Sequence, residues 1–140
     1  MNISIWIGDH ATLTGRDPWA STARSHHAPL FAGDAHPRQN LHQASDSDWE
    51  EFFRDVDLHE LFFAPDVGLI ANRPGTVRLT RDHARSIQAA VAKYLAAHRH
   101  AEPTYGSGRT QDRHIARLLW LDCWVYRALH HFEEPALHVR

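Results

Sequence analysis

The sequence predicts an α+β fold, in which a small, mostly antiparallel sheet of about four strands packs against two long C-terminal helices. Three patterns indicate this class. Residues 3–7 alternate between isoleucine and other side chains, which is the period of a β-strand. Apolar residues recur at three- and four-residue spacing across residues 81–98. Residues 118–126 are apolar almost all round, as expected of a helix that is covered on several sides.

Length and composition fit one domain that spans residues 1–140. Hydrophobic residues make up 43% of the chain, which is enough for a core without a metal or disulfide staple. Cys123 is the only cysteine, so no internal disulfide can form, and a cytoplasmic location is expected. No apolar run approaches the roughly 18 residues of a membrane helix, and no basic leader precedes the first apolar run, so no membrane association is expected.

The first half of the chain holds a strand, an irregular segment and a short helix. After the first strand, residues 9–45 show no sustained period of either kind. Order returns at Ser47, where the sequence Ser-Asp-Trp-Glu forms a capping box that begins a shorter, acidic helix. Pro65 ends this helical material. Residues 67–71 and 76–80 then form a candidate hairpin around a Pro-Gly turn.

The second half is predicted to consist mainly of two long helices. Thr80 can cap a helix over residues 81–98, since its side chain can accept from a free backbone N–H of the first turn. Thr110 can cap a second helix over residues 110–133, which a proline then ends. Residues 136–139 are expected to return as a last strand.

Thirteen histidines raise the question of a metal site. No His-x-x-x-His pair exists, and Phe63 stands where a zincin-like motif that begins at His59 would place its second histidine. We therefore expect histidines scattered over the surface, with no metal and no other cofactor. The alternative ligands, which could converge if the irregular segment folds back, are His26, His27, Asp34 and His36.

Asp122 and His59 are the candidate catalytic residues. Asp122 is a lone carboxylate in an apolar stretch, and burial of an unpaired carboxylate costs several kcal/mol. We favour a structural partner for it, such as an arginine or an indole N–H, over the role of a catalytic acid. Cys123 lies in the same stretch and is expected to be a core residue. Because none of these residues belongs to a recognisable catalytic pattern, we favour a protein that is not an enzyme.

An anion site is predicted where a glycine-containing stretch leads into the last helix. Backbone N–H groups at a helix start attract anions. Three arginines also recur at four-residue spacing along one face of this helix. The residues of this candidate site are Gly106, Gly108, Arg109, Arg113 and Arg117. Arg81 and Arg85 repeat the spacing at the start of the preceding helix, where cations oppose the helix dipole unless an anion is present.

Charge is segregated along the chain. Residues 46–60 hold seven acids and one base, a net charge of −6, whereas residues 73–117 carry a net charge of +6. The two segments can neutralise each other within one chain or between two copies. We prefer this interpretation to nucleic-acid binding, because the sequence pI is near 6.7 and no Lys/Arg run appears.

The leading hypothesis is a small, non-catalytic bacterial protein-interaction domain of an accessory or inhibitor type, with another protein or a second copy as partner. Exposed aromatics such as Trp19, Trp49 and Phe53 would support it, since aromatic residues dominate interface hot spots. The alternative is an anion- or metal-binding domain, or a hydrolase-like enzyme, that uses the arginine face with the loop histidines. That alternative requires an open pocket, whereas the leading hypothesis predicts a flat patch.

Overall fold

A computed structural model of the chain describes residues 2–14, 39–98 and 112–140 and confirms the α+β class. Four strands form one antiparallel sheet in the order β2-β1-β4-β3. The strands are β1 Asn2–Asp9, β2 Leu41–Ser45, β3 Gly75–Arg78 and β4 Pro135–Val139.

Five helices accompany the sheet, and the two longest lie in the C-terminal half as predicted. They are α1 His10–Leu13, α2 Asp46–Asp55, α3 His59–Phe63, α4 Arg81–Ala97 and α5 Arg113–His131. Among the helices in the described ranges, none is long and apolar enough to cross a bilayer.

The sheet has two different faces. Ile3, Ile5 and Ile7 of β1 are almost fully buried in the main core, which also contains α2, α4 and α5. Because alternate residues of a strand point to opposite sides, Trp6 lies on the other face. There it joins a second small cluster with Leu13, Leu41 and Ala136.

Helix α5 is the centre of the molecule. It contacts β1, β4 and α4, and it buries side chains on most of its circumference, which confirms the prediction from its apolar sequence. Its buried residues are Ile115, Ala116, Arg117, Leu118, Trp120, Leu121, Trp124, Val125 and Ala128.

Helix starts differ in detail from the sequence prediction. Thr80 caps α4 as predicted, accepting from the His83 N–H at 3.3 Å. Helix α2 begins at Asp46 with Ser45 as its N-cap, two residues before the predicted Ser47. Helix α5 begins after Asp112, whose carboxylate accepts from two backbone N–H groups, so Thr110 is not its cap.

The predicted hairpin is wrong in its first strand. Residues 67–71 form turns, because their backbone N–H groups bond back to α3 and the residues after it. Leu69 donates to the Leu61 carbonyl and Ile70 to the Phe62 carbonyl, each at 3.0 Å. With these donors used, the segment cannot join a strand ladder. β3 pairs instead with β4.

The segment 9–45 contains regular structure at both of its ends. Helix α1 follows β1 directly, and β2 occupies residues 41–45 beside β1. Residues 15–38 lie outside the described part of the chain, as do residues 99–111.

Candidate functional site

Several charges of the acidic and basic segments pair within the chain. Asp46 bonds to Arg73 and Asp57 to Lys93, both at 2.8 Å. The hydrogen bonds from these cations lower the pKa of both carboxyl groups. Such exposed pairs contribute little to stability. They show, however, that part of the acidic segment is neutralised by cations of the same chain.

The arginines of the predicted anion site do not share one environment. Gly106, Gly108 and Arg109 lie outside the described residues. Arg113 is exposed at the start of α5. Arg117 is only 4% exposed and lies over the rings of Trp49 and Phe52, at 5.2 and 5.7 Å from the ring centroids. The described part of this site therefore has one surface arginine and one core arginine.

His59 is one of the two candidate catalytic residues, and the predicted metal candidates lie in the irregular segment. The His59 ring stacks on Phe63, and its Nε2 lies 3.6 Å from Glu50 Oε1. Within the described ranges, no three histidine, cysteine or acidic side chains are placed to hold a metal ion. The loop candidates, which are His26, His27, Asp34 and His36, lie outside those ranges.

Asp122 is partly buried on α5 and makes neither a hydrogen bond nor an ion pair with the described residues. The expected partner, an arginine or an indole N–H, is not found there. Burial raises the pKa of Asp122, and burial likewise raises the pKa of the neighbouring Cys123 thiol. The side chain therefore lies at the edge of the core with its carboxylate still to be satisfied.

The aromatic residues proposed for an interface do not lie on the described surface. Trp49 and Phe53 are completely buried, and Trp19 lies outside the described part. The exposed large aromatic residues of the described chain are Tyr126, at 53% exposure, and Phe132, at 43%. Tyr126 is thus the aromatic residue on α5 that is available for contact.

A groove of about 350 Å³ lies between α4 and α5, and Tyr126 forms part of its wall. Its floor is apolar and its rim is basic. Helix α4 supplies Arg81, Ala84, Arg85 and Gln88, and helix α5 supplies Tyr126, Leu129 and His130.

The groove arises from helical spacing on two antiparallel neighbours. Arg81 and Arg85 lie one turn apart on α4, and Tyr126 and His130 lie one turn apart on α5. The Tyr126 and His130 rings stack with centroids 4.0 Å apart, and His130 Nδ1 lies 3.0 Å from the Tyr126 carbonyl oxygen. This bond orients the imidazole, so its other ring nitrogen remains available to a ligand.

The groove is electropositive. Its described lining contains two arginines and no carboxylate, and Arg81 has no ion pair within the described chain. Arg85 bonds to Asp82 at 3.0 Å, but both side chains are mostly exposed and this pair is weak. The N-terminus of α4 adds the positive end of a helix dipole. The arrangement suits a carboxylate or another anion that also has an apolar part.

A second polar cluster, beside the start of α5, has a structural role. The Tyr94 hydroxyl donates to both oxygens of Asp112, at 2.9 and 3.1 Å, and His114 Nε2 lies 2.9 Å from Asp55 Oδ2. Burial, followed by the bond to Asp112, raises the pKa of Tyr94 to about 12. A phenol held neutral in this way is a poor nucleophile. The cluster joins α2, α4 and α5.

A larger cleft, of about 530 Å³, lies between α2 and the turn after α3. Its carboxylates include Asp46 and Glu50, which already bond to Arg73 and Arg54 at 2.8 and 2.7 Å. Internal cations thus satisfy these two acids, whereas Arg81 in the α4/α5 groove has no such partner in the part of the chain that the structure describes. The groove is the better candidate for a binding site.

Comparison with known proteins found no matching family, no similar curated protein and no similar solved structure.

Proposed function

We propose that the protein is a non-catalytic interaction domain that binds an acidic segment of another protein in the α4/α5 groove. The observation that carries this proposal is one groove with an apolar floor that combines Arg81, which has no ion pair among the described residues, with the exposed Tyr126. Tyrosine and arginine are enriched among interface hot spots. Charge steers the partner into the groove, and the apolar floor retains it.

The chemistry of the partner follows from the lining. Glutamate or aspartate side chains can accept from the guanidinium groups of Arg81 and Arg85. An aliphatic side chain of the same segment can lie on Ala84 and Leu129 against the face of Tyr126. Nucleic acid is a poorer candidate, because the whole chain has a net charge of −2. The single cysteine suits a reducing compartment, and we propose a cytoplasmic location.

Fluorescence anisotropy with a short labelled peptide of alternating glutamate and leucine tests the proposal. We expect the glutamate peptide to bind more tightly than peptides of the same length with glutamine or lysine in place of glutamate. Added salt should weaken binding, because the contacts are partly exposed charges.

Two arginine variants locate the site. Arg81→Glu should weaken binding of the glutamate peptide by about tenfold or more, corresponding to about 1.4 kcal/mol. Arg113→Glu, which makes the same charge change on an exposed arginine at the other end of the helix pair, should have little effect. Equal binding of all three peptides would overturn the proposal. A loss with Arg113→Glu alone would favour the anion site at the start of α5.

A further inference from the structure

The outward side of α5 carries a charge pattern that is complementary to itself. Asp122, Tyr126 and His130 follow one another at four-residue spacing, so an acid and a base lie about 6 Å along the helix on either side of an exposed tyrosine. Cys123 and Leu129, both partly buried, lie three residues on either side of the same tyrosine. The stripe is therefore self-complementary: an acid and an apolar residue precede Tyr126, and an apolar residue and a base follow it.

We infer that this side of α5 forms the interface of a twofold-symmetric dimer, in which Asp122 meets His130 of the partner subunit. This inference rests on the proposed function, because it uses the same α4/α5 surface and names a second copy of the chain as one occupant of the groove. In a twofold interface each contact occurs twice, so a self-complementary stripe is what the symmetry requires.

The pairing follows from antiparallel geometry. When two copies of a helix cross antiparallel at Tyr126, a residue four positions before it faces the residue four positions after it in the other copy. Asp122 then faces His130 of the partner subunit, and Cys123 faces Leu129 of the partner subunit. The two Tyr126 rings meet at the symmetry axis, where two aromatic side chains bury a large apolar area.

The dimer supplies Asp122 with a partner of opposite charge. Its carboxylate is partly buried and has no partner among the described residues, and burial raises its pKa. The groove of the partner subunit contains Arg81 and Arg85 next to His130, so two permanent cations surround the entering carboxylate. A residue that is costly in the monomer thereby becomes the acidic ligand of the groove.

Self-association therefore competes with the acidic partner. Each Asp122 occupies the place proposed for a glutamate or aspartate of another protein. In the dimer, both binding grooves are therefore already filled. Partner binding should separate the subunits, and dilution should increase the affinity for an acidic peptide.

Sedimentation velocity over a wide range of protein concentration tests the dimer. We expect wild type to pass reversibly from monomer to dimer. Tyr126→Ala should weaken dimerisation by about thirtyfold, and Asp122→Arg by about a hundredfold, since the new arginine faces the cations of the groove. Glu51→Arg reverses an exposed charge on α2 and should leave the equilibrium unchanged.

A charge exchange separates a specific contact from a folding defect. His130→Asp alone should weaken the dimer, because two carboxylates then face each other. Combining it with Asp122→Arg should restore dimerisation by re-forming the opposite pair. Failure of this rescue in a double variant with wild-type circular dichroism would overturn the proposed pairing.

Cross-linking gives a readout that does not depend on affinity. Leu129→Cys places a thiol opposite Cys123 of the partner subunit, and added mild oxidant should link the two chains. Residues 123 and 129 of one helix are too far apart to bond to each other. Glu51→Cys is the control and should not give this efficient cross-link. Absence of the covalent dimer in Leu129→Cys would contradict the α5 interface.

The two proposals can fail separately. If Asp122→Arg is monomeric and still binds the glutamate peptide, both stand. If wild type remains monomeric at every concentration but binds the peptide through Arg81, the dimer inference is overturned and the proposed function stands. If the dimer forms as described and no acidic peptide binds the monomeric variant, the groove serves self-association alone.

Discussion

Gly68 lies in the turn after α3, where the chain passes very close to that helix. A Cβ atom at this position would lie 2.5 Å from the Phe62 carbonyl oxygen and 2.7 Å from the Ala64 nitrogen. Both neighbours are backbone atoms, so they cannot move aside as the end of a side chain can. Only glycine fits without shifting the turn.

We expect Gly68→Ala to destabilise the protein by about 1–3 kcal/mol, the range typical of overpacking. Urea denaturation measures this change. Gly8→Ala is the matched control, because its Cβ would meet its nearest neighbour at 3.6 Å, an ordinary contact. A similar loss of stability in both variants would show that backbone crowding is not the cause.

Tyr94 links the stability of the protein to alkaline pH. Burial first, and then its bond to Asp112, raise the pKa of Tyr94 to about 12, against about 10 for an unfolded tyrosine. A raised folded-state pKa contributes stability that is fully present below pH 10 and is lost as the pH rises toward 12.

Urea midpoints measured at several pH values should therefore fall between about pH 10 and pH 12. Tyr94→Phe should remove part of this fall and should cost about 1 kcal/mol at neutral pH, through the lost hydrogen bond. Tyr126→Phe is the matched control, since it removes the same hydroxyl group from an exposed position on α5. An identical pH dependence in Tyr94→Phe and wild type would refute this assignment.

At the scale of elements, α5 determines the packing of the core. Leu118 is completely buried, whereas the adjacent Leu119 is only partly buried on the outward side. We expect Leu118→Ala to cost about 2–5 kcal/mol and Leu119→Ala clearly less, because truncation leaves a cavity only at the enclosed site. Thermal melting of the two variants compares them. If Leu119→Ala proved the more damaging, α5 would be turned differently in the protein.

Elements with one strong period could be predicted from the sequence. β1, α4 and α5 have regular apolar spacing, and their positions agree closely with prediction. β2 was missed because it places buried Leu41 and His42 side by side, with His42 packed between Trp49 and Trp120, so its side chains show no polar alternation. The false strand after α3 is apolar partly because Leu69 and Ile70 pack in the core, whereas Val67 is 80% exposed, and the segment does not join the sheet.

At the scale of the whole molecule, stability should be concentrated where the central strands meet α5. β1 and β4 pair with strands on both sides, and β1 lies against α5. We expect the amides of Ile5 and Leu137 to exchange hydrogen most slowly, and those of the four-residue helix α1 much faster. Native-state hydrogen exchange by NMR measures both. Uniform exchange across these elements would contradict a core centred on β1, β4 and α5.

The candidate site could be predicted only in pieces. Arg81 and Arg85 were recognisable as a repeated cation pair near a helix start, and Asp122 as a misplaced carboxylate. The groove itself depends on which faces of α4 and α5 are neighbours, and no spacing within one helix reveals that. Tyr126 was hidden in a run of apolar residues, because the sequence does not show which member of such a run faces solvent.

Ser45 ends β2 and also caps α2, so strand and helix are joined without any connecting loop. The end of β2 therefore fixes the position and the rotation of α2. One residue inserted there would turn α2 by about 100° about its axis, because a helix has 3.6 residues per turn. Trp49 and the aromatic residues beside it would then no longer face the sheet. No loop residue lies between β2 and α2 to absorb this rotation.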